Sequence, residues 1–200
     1  MPLGTLLRAF AFAVCVLGLA SCTPSGGPQF QSSDVTGSSF GRDFALHDPD
    51  GKQRTLADFR GKAVVVFFGY TQCPDVCPTT LAALAEAMKQ LGPDADRVQV
   101  LFITVDPDRD TADLLSKYVP AFDRRFLGLR GNAEETERTA KEFKILYQKQ
   151  PGTSSGSYTM DHSAGTFIFD PQGRLRLYVG LAQGPEVFAH DLRELLKTAG

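Results

Sequence analysis

The segment GYTQCPDVCPTT, residues 69–80, sets Cys73 and Cys77 four positions apart, each followed by a proline. Such a pair can close a disulfide, cycle as a redox dithiol, or give two sulfur ligands to a soft metal ion. On a helix, Cβ atoms four residues apart are separated by about 5–6 Å, whereas a relaxed disulfide wants about 3.5–4.5 Å. A bend in the loop can close that gap, and any strain leaves the bond easier to reduce. A metal bonded at about 2.3 Å to each sulfur accepts the wider spacing. The spacing therefore leans towards metal and leaves redox work open. A merely structural pair is disfavoured by the flanking prolines and the helix start, which make the site electropositive and accessible. Pro78 is expected at the first helical position with Cys77 just before it, where the helix dipole should ease ionisation of the thiol. Asp75 opposes that ionisation but favours a bound cation.

Two sulfurs are too few for a closed site, and the chain has three histidines. His47 precedes a turn and His190 lies in a helical stretch, and neither position points to ligation. His162 stands in YTMDHSAG, after the polar stretch KQPGTSSGS and immediately before an apolar strand. It is the candidate third ligand. Its plainest alternative is a solvated loop histidine. Met160 is expected to pack rather than ligate. Two thiolates and an imidazole suit copper, as Cu(I) or Cu(II). Zinc would want a fourth ligand, which Asp75, Asp161 or water would have to supply.

These residues need elements to hold them. AVVVFFGY (63–70) and VQVLFITVD (98–106) read as strands buried on both faces. Between them Leu81, Leu84, Ala85, Met88 and Leu91 mark one helix face, ending at Gly92-Pro93. Two buried strands joined by a helix predict a parallel pair with a right-handed crossover. Helices are expected over 111–119, 133–143 and 185–198, the last with Pro185 in its first turn. GTFIFD and RLRLYVG flank the turn DPQG and predict a hairpin, and DPDG (48–51) joins two short strands. The expected class is α/β, a central mixed sheet flanked by helices with an N-terminal hairpin extension. The element order resembles the thioredoxin fold, which places working cysteines at the end of the first core strand and the start of its helix. His162 is then expected beside that helix.

The 200 residues, 42% hydrophobic, suit one domain plus additional sequence. A net charge of −2 without a basic stripe argues against a nucleic-acid partner. AFAFAVCVLGLA (9–20) follows Arg8 and reads as the apolar core of a secretory signal. It ends in LASC, which resembles a lipobox whose cysteine, Cys22, is lipidated. The expected organisation is a lipoprotein signal peptide over 1–21, a Gly/Ser/Pro-rich flexible tether over 22–39, and a folded domain over 40–200. The mature domain then holds only Cys73 and Cys77, outside the cytosolic reducing pool, which rules out a disulfide scaffold.

Three motifs, TQCPDVCPTTL (71–81), VDPDRDTADLLSKYVPAF (105–122) and DHS (161–163), together resemble the Sco/SenC family of copper-binding, thioredoxin-fold proteins of cytochrome c oxidase assembly. The resemblance runs from about Phe40 to the C-terminus. It implies that Cys73, Cys77 and His162 hold one copper ion. It also implies delivery of copper, or of reducing equivalents, to the dinuclear copper site of the oxidase, with a thiol reductant as a further partner. The protein would face outward from a membrane, on the periplasmic side of the inner membrane in a Gram-negative cell. Thr23 in place of an aspartate after Cys22 leaves the choice of membrane open. A thiol–disulfide oxidoreductase acting on the target's cysteines is the alternative, with Cys73 and Cys77 as its redox pair. A thiol peroxidase fits less well. Thioredoxin-like oxidoreductases resemble one another in a C-x-x-C spacing and a proline just before the third core strand, where this chain has C-x-x-x-C and His162.

Overall fold

In the computed structural model, residues 27–152 and 156–198 are described. The expected signal peptide and Cys22 lie outside them. A six-stranded mixed sheet runs in the order β1-β10-β9-β4-β5-β6. Its strands are β1 (Ser33–Asp34), β4 (Ala63–Gly69), β5 (Val98–Thr104), β6 (Leu127–Leu129), β9 (Thr166–Phe169) and β10 (Leu175–Val179). β4, β5 and β6 are parallel, and β9 runs antiparallel to both β4 and β10. The predicted parallel pair and hairpin are thus present. β4 is buried along its whole length, as its unbroken apolar run requires.

Helix α1 (Val76–Leu91) connects β4 to β5 and lies against α4 (Pro185–Lys197). Its buried residues are the periodic set read from the sequence, with Cys77 and Ala87 added. Phe67 faces Phe102, which meets Tyr118 at the end of α2 (Ala112–Tyr118). Phe68 turns the other way, onto Phe143 after α3 (Ala133–Glu142). Helices therefore flank the sheet, and alternate β4 side chains join both halves of the core. Around DPDG, β2 (Leu46–His47) pairs with β3 (Gln53–Arg54), the expected N-terminal hairpin. Asp48 closes its turn by accepting the N–H groups of Asp50 and Lys52, and Gly51 takes a φ of +80°.

Two expectations are corrected. The segment placed in the tether joins the fold well before residue 40. Ser33–Asp34 pair with Tyr178 and Leu177, and Phe30 and Val35 pack on the core. The pairing uses backbone groups and so left no apolar pattern in the sequence. The polar stretch before His162, expected as a loop, begins as strand at Lys149–Pro151, and the segments on either side of it pair as a hairpin. Among the described residues β7 (Tyr147–Pro151) pairs only with β8 (Tyr158–His162), in a register that sets Tyr147 opposite His162.

Topology fixes where the candidate residues meet. β4 and β5 are parallel with Gly69 beside Thr104, so the cysteine turn and the aspartate-rich loop leave the same end of the sheet. β9 is antiparallel, with Thr166 opposite Phe67, so the segment containing His162 enters at that end.

Candidate metal centre

Cys73 lies in the turn between β4 and α1, half-buried, its N–H bonded to the Tyr70 carbonyl at 3.2 Å. Cys77 lies inside α1 and is fully buried. The helix starts at Val76 with Asp75 as its cap, so Pro78 is its third residue rather than its first. This corrects the sequence expectation, and the expected ease of ionisation goes with it. Burial pushes the Cys77 thiol up, the nearby Cys73 and Asp110 add to the effect, and a hydrogen bond from the Tyr70 backbone opposes it only in part. Desolvation outweighs the helix dipole at a sulfur with no water contact. Both cysteines are free thiols.

His162 ends β8 and turns its ring towards α1, with Nε2 3.8 Å from the Cys77 sulfur. Nδ1 lies 3.0 Å from the Ser163 carbonyl oxygen. A carbonyl only accepts, so that contact requires the proton on Nδ1 and leaves the Nε2 lone pair facing the sulfur. Burial lowers the pKa of the ring, which favours the neutral form that a metal ligand needs. Tyr70 meets the imidazole edge-on at 6.0 Å. The sequence expectation that His162 sits beside the cysteine helix holds in this geometry. His47 instead lies near Glu135, His190 bonds Asp191, and Met160 is packed in the core. Among the described residues, no three His, Cys, Asp or Glu side chains stand in an arrangement that could hold a metal ion. The two thiols and the imidazole would have to draw together to share one. Their chemistry, two sulfurs and a neutral imidazole with its lone pair turned inward, fits copper.

Two supporting residues carried no obvious sequence signal. Gly69 ends β4 where a Cβ would stand 2.8 Å from the Cys77 sulfur and 2.8 Å from the Phe102 ring. Only glycine lets the strand pass that close to the thiol. Asp110 is fully buried and accepts from the Thr104 hydroxyl (2.5 Å), the Thr71 hydroxyl (2.5 Å) and the Thr71 N–H (3.1 Å). It ties the cysteine turn to the end of β5. Burial raises its pKa despite these bonds. The aspartate-rich motif had given the position of Asp110 but no role.

The family model described as SCO1/SenC matches residues 32–197. The chain belongs to the SCO1/SenC family. It is 39% identical over 153 residues to the mitochondrial SCO2 homolog of Bos taurus, covering 76% of this chain and 58% of that protein's length. The solved structure of Bradyrhizobium japonicum ScoI with copper bound is 39% identical, with a TM-score of 0.72 over 79% of this chain and 100% of that one. The solution structure of apo Sco1 from Thermus thermophilus is 40% identical, with a TM-score of 0.75 over 84% of this chain and 98% of that one. The SCO1/SenC domain here accordingly has the thioredoxin-like fold that the element order suggested. The family match begins at Ser32, in agreement with the early docking of β1.

Proposed function

We propose that the protein binds one copper ion through Cys73, Cys77 and His162 and delivers it to the dinuclear copper site of cytochrome c oxidase. The observation that carries the reading is His162 Nε2, 3.8 Å from the Cys77 sulfur, in a chain 39% identical to a copper-bound ScoI. Copper would replace the thiol protons, so both cysteines must be reduced before uptake. A thiol reductant is thus part of the cycle. Lipidation at Cys22 would hold the domain at the outer face of a membrane, and loss of detergent-phase partitioning in Cys22→Ser would test that anchor.

Copper titration of the reduced protein tests the central claim. One copper per chain is expected, with sulfur-to-Cu(II) charge transfer, and Cys73→Ala or Cys77→Ala should abolish tight binding. His162→Ala should weaken Cu(II) more than Cu(I), because imidazole matters more to the harder ion. Stoichiometric zinc uptake with indifference to copper would overturn the reading. The alternative, reduction of the target's cysteines, draws on the half-buried position of Cys73, more accessible than Cys77, next to a second thiol. The imidazole of His162 turned onto the Cys77 sulfur has no part in disulfide exchange, which favours the chaperone. Normal oxidase assembly in cells carrying only a His162→Ala protein that has lost copper would favour the reductase.

A further inference from the structure

Arg109 lies in the loop after β5, between the cysteine turn and the β7–β8 hairpin, and its guanidinium touches both. Nη1 donates to Gln72 Oε1 at 3.2 Å, on the residue before Cys73, and to the Tyr158 carbonyl oxygen at 2.8 Å. The guanidinium carbon is 3.6 Å from the Tyr158 ring centroid and 5.6 Å from that of Tyr70. Nε donates to the buried carboxylate of Asp106, whose other oxygen accepts the Tyr158 hydroxyl at 2.9 Å. The cation is thus held at Nε by an ion pair shielded from water, while Nη1 reaches two separate segments.

Tyr158 and His162 are the first and last residues of β8, on the same face of the strand. Among the described residues β8 pairs only with β7, and no described strand of the main sheet bonds to it. A shift of Tyr158 would be carried along the strand to the imidazole.

We propose that Arg109 is a positioning residue that clasps the His162 hairpin to the cysteine turn and so sets the approach of the imidazole to the two sulfurs. It does not touch the ion. Its bearing on copper rests on the reading of Cys73, Cys77 and His162 as ligands. Lysine could keep the charge beside Asp106 but has no second nitrogen to reach Gln72 and Tyr158 while the first pairs with Asp106.

The test uses the full-length protein with Arg109→Gln and Arg109→Lys, each alone and combined with His162→Ala. With reduced protein, Arg109→Gln should weaken Cu(II) binding about tenfold or more and shift the sulfur-to-copper absorption, with Arg109→Lys intermediate. On the His162→Ala background, the same change should alter affinity by less than about twofold, since the effect passes through the imidazole. Equal losses on both backgrounds would overturn the clasp. In metal-free protein, amide exchange across Tyr158–His162 should speed up by about tenfold or more in Arg109→Gln, while that of Val64–Phe68 stays unchanged. Unaltered hairpin exchange would also overturn it. A wild-type protein that bound no copper would sink the ligand reading, and the metal-free exchange would still decide the clasp. Should Arg109→Gln fail to fold, Tyr158→Leu removes the ring, leaves the cation, and carries the same comparison.

Discussion

The two halves of the candidate site are built in opposite ways. Cys77 projects from a long helix packed on β4, a strand bonded on both sides and buried throughout. His162 projects from a five-residue strand that, among the described residues, pairs with β7 alone. The sulfur half shares the stability of the whole core, whereas the imidazole half is held by side chains such as Tyr158 and Lys149, which reach Asp106 and Asp108. A carrier needs both qualities. It must keep its thiols in a fixed, water-poor place, and it must be able to loosen one ligand at low cost when the ion leaves.

The largest test of this contrast is amide exchange in the metal-free protein. Amides of β4 and β5 should open only with global unfolding, which in a domain of ordinary stability costs about 5–15 kcal/mol. Those of β7 and β8 should open locally and exchange faster by about three orders of magnitude or more. Equal protection in the two regions would break the comparison, because the hairpin would then be as firmly fixed as the core.

The same contrast governed what could be read in the sequence. β4, α1 and β5 announce themselves through an unbroken apolar run, a helical period and a second apolar run, since their stability comes from buried side chains. The cysteines inherit that clarity. His162 was legible only through its motif and its place before β9. The strand that carries it contains Tyr158, Asp161 and an exposed Thr159, and alternation in so short a polar stretch does not stand out. β1 itself has two exposed residues and joins the sheet through its backbone. The pKa of Cys77 was misjudged because position in a helix can be counted along a sequence, while burial depends on what folds over it. Gly69 and Asp110 act through close approach and long-range hydrogen bonds, and neither leaves a local pattern.

A sharper test of the core half is Gly69→Ala. The added methyl has no room between the Cys77 sulfur and the Phe102 ring, both 2.8 Å from its ideal position. Overpacking of this kind costs about 1–3 kcal/mol. Thermal unfolding should report that loss. Copper binding should weaken as well, because the most direct relief is to push the thiol aside. Ala164, in the segment after His162, offers the control, since Ala164→Gly should leave global stability nearly unchanged. If Gly69→Ala kept full stability and full copper affinity, the close fit of strand to thiol would not matter to either.

The smallest expected effect concerns a third kind of attachment, the N-terminal segment that leads into β1. It is held by Asp191 of α4, which is fully buried and accepts the N–H groups of Gln31 (2.8 Å) and Ser32 (2.9 Å) and a contact from His190 Nδ1 (2.9 Å). Burial pushes this carboxyl up, but the hydrogen bonds outweigh it and the pKa falls below its ordinary value of 3.8. A folded-state pKa below the unfolded one means that the unfolded chain binds the proton more readily. The stabilisation is therefore present above the ordinary carboxylate pKa and is lost as pH falls through the lower, folded value. Asp191→Asn should cost about 1 kcal/mol at neutral pH, where one charged acceptor of two backbone donors is replaced by a neutral one. The gap between wild type and variant should close as the solution is taken well below pH 3.8, because the wild-type carboxyl is then neutral too. Denaturant unfolding at neutral and strongly acidic pH measures both gaps. A gap that stayed constant with pH would show that the side chain works there by shape rather than by charge. Copper affinity should not change, because Asp191 bonds the residues before β1, the edge strand beside β10, while Cys77 and His162 meet at the C-terminal end of β4.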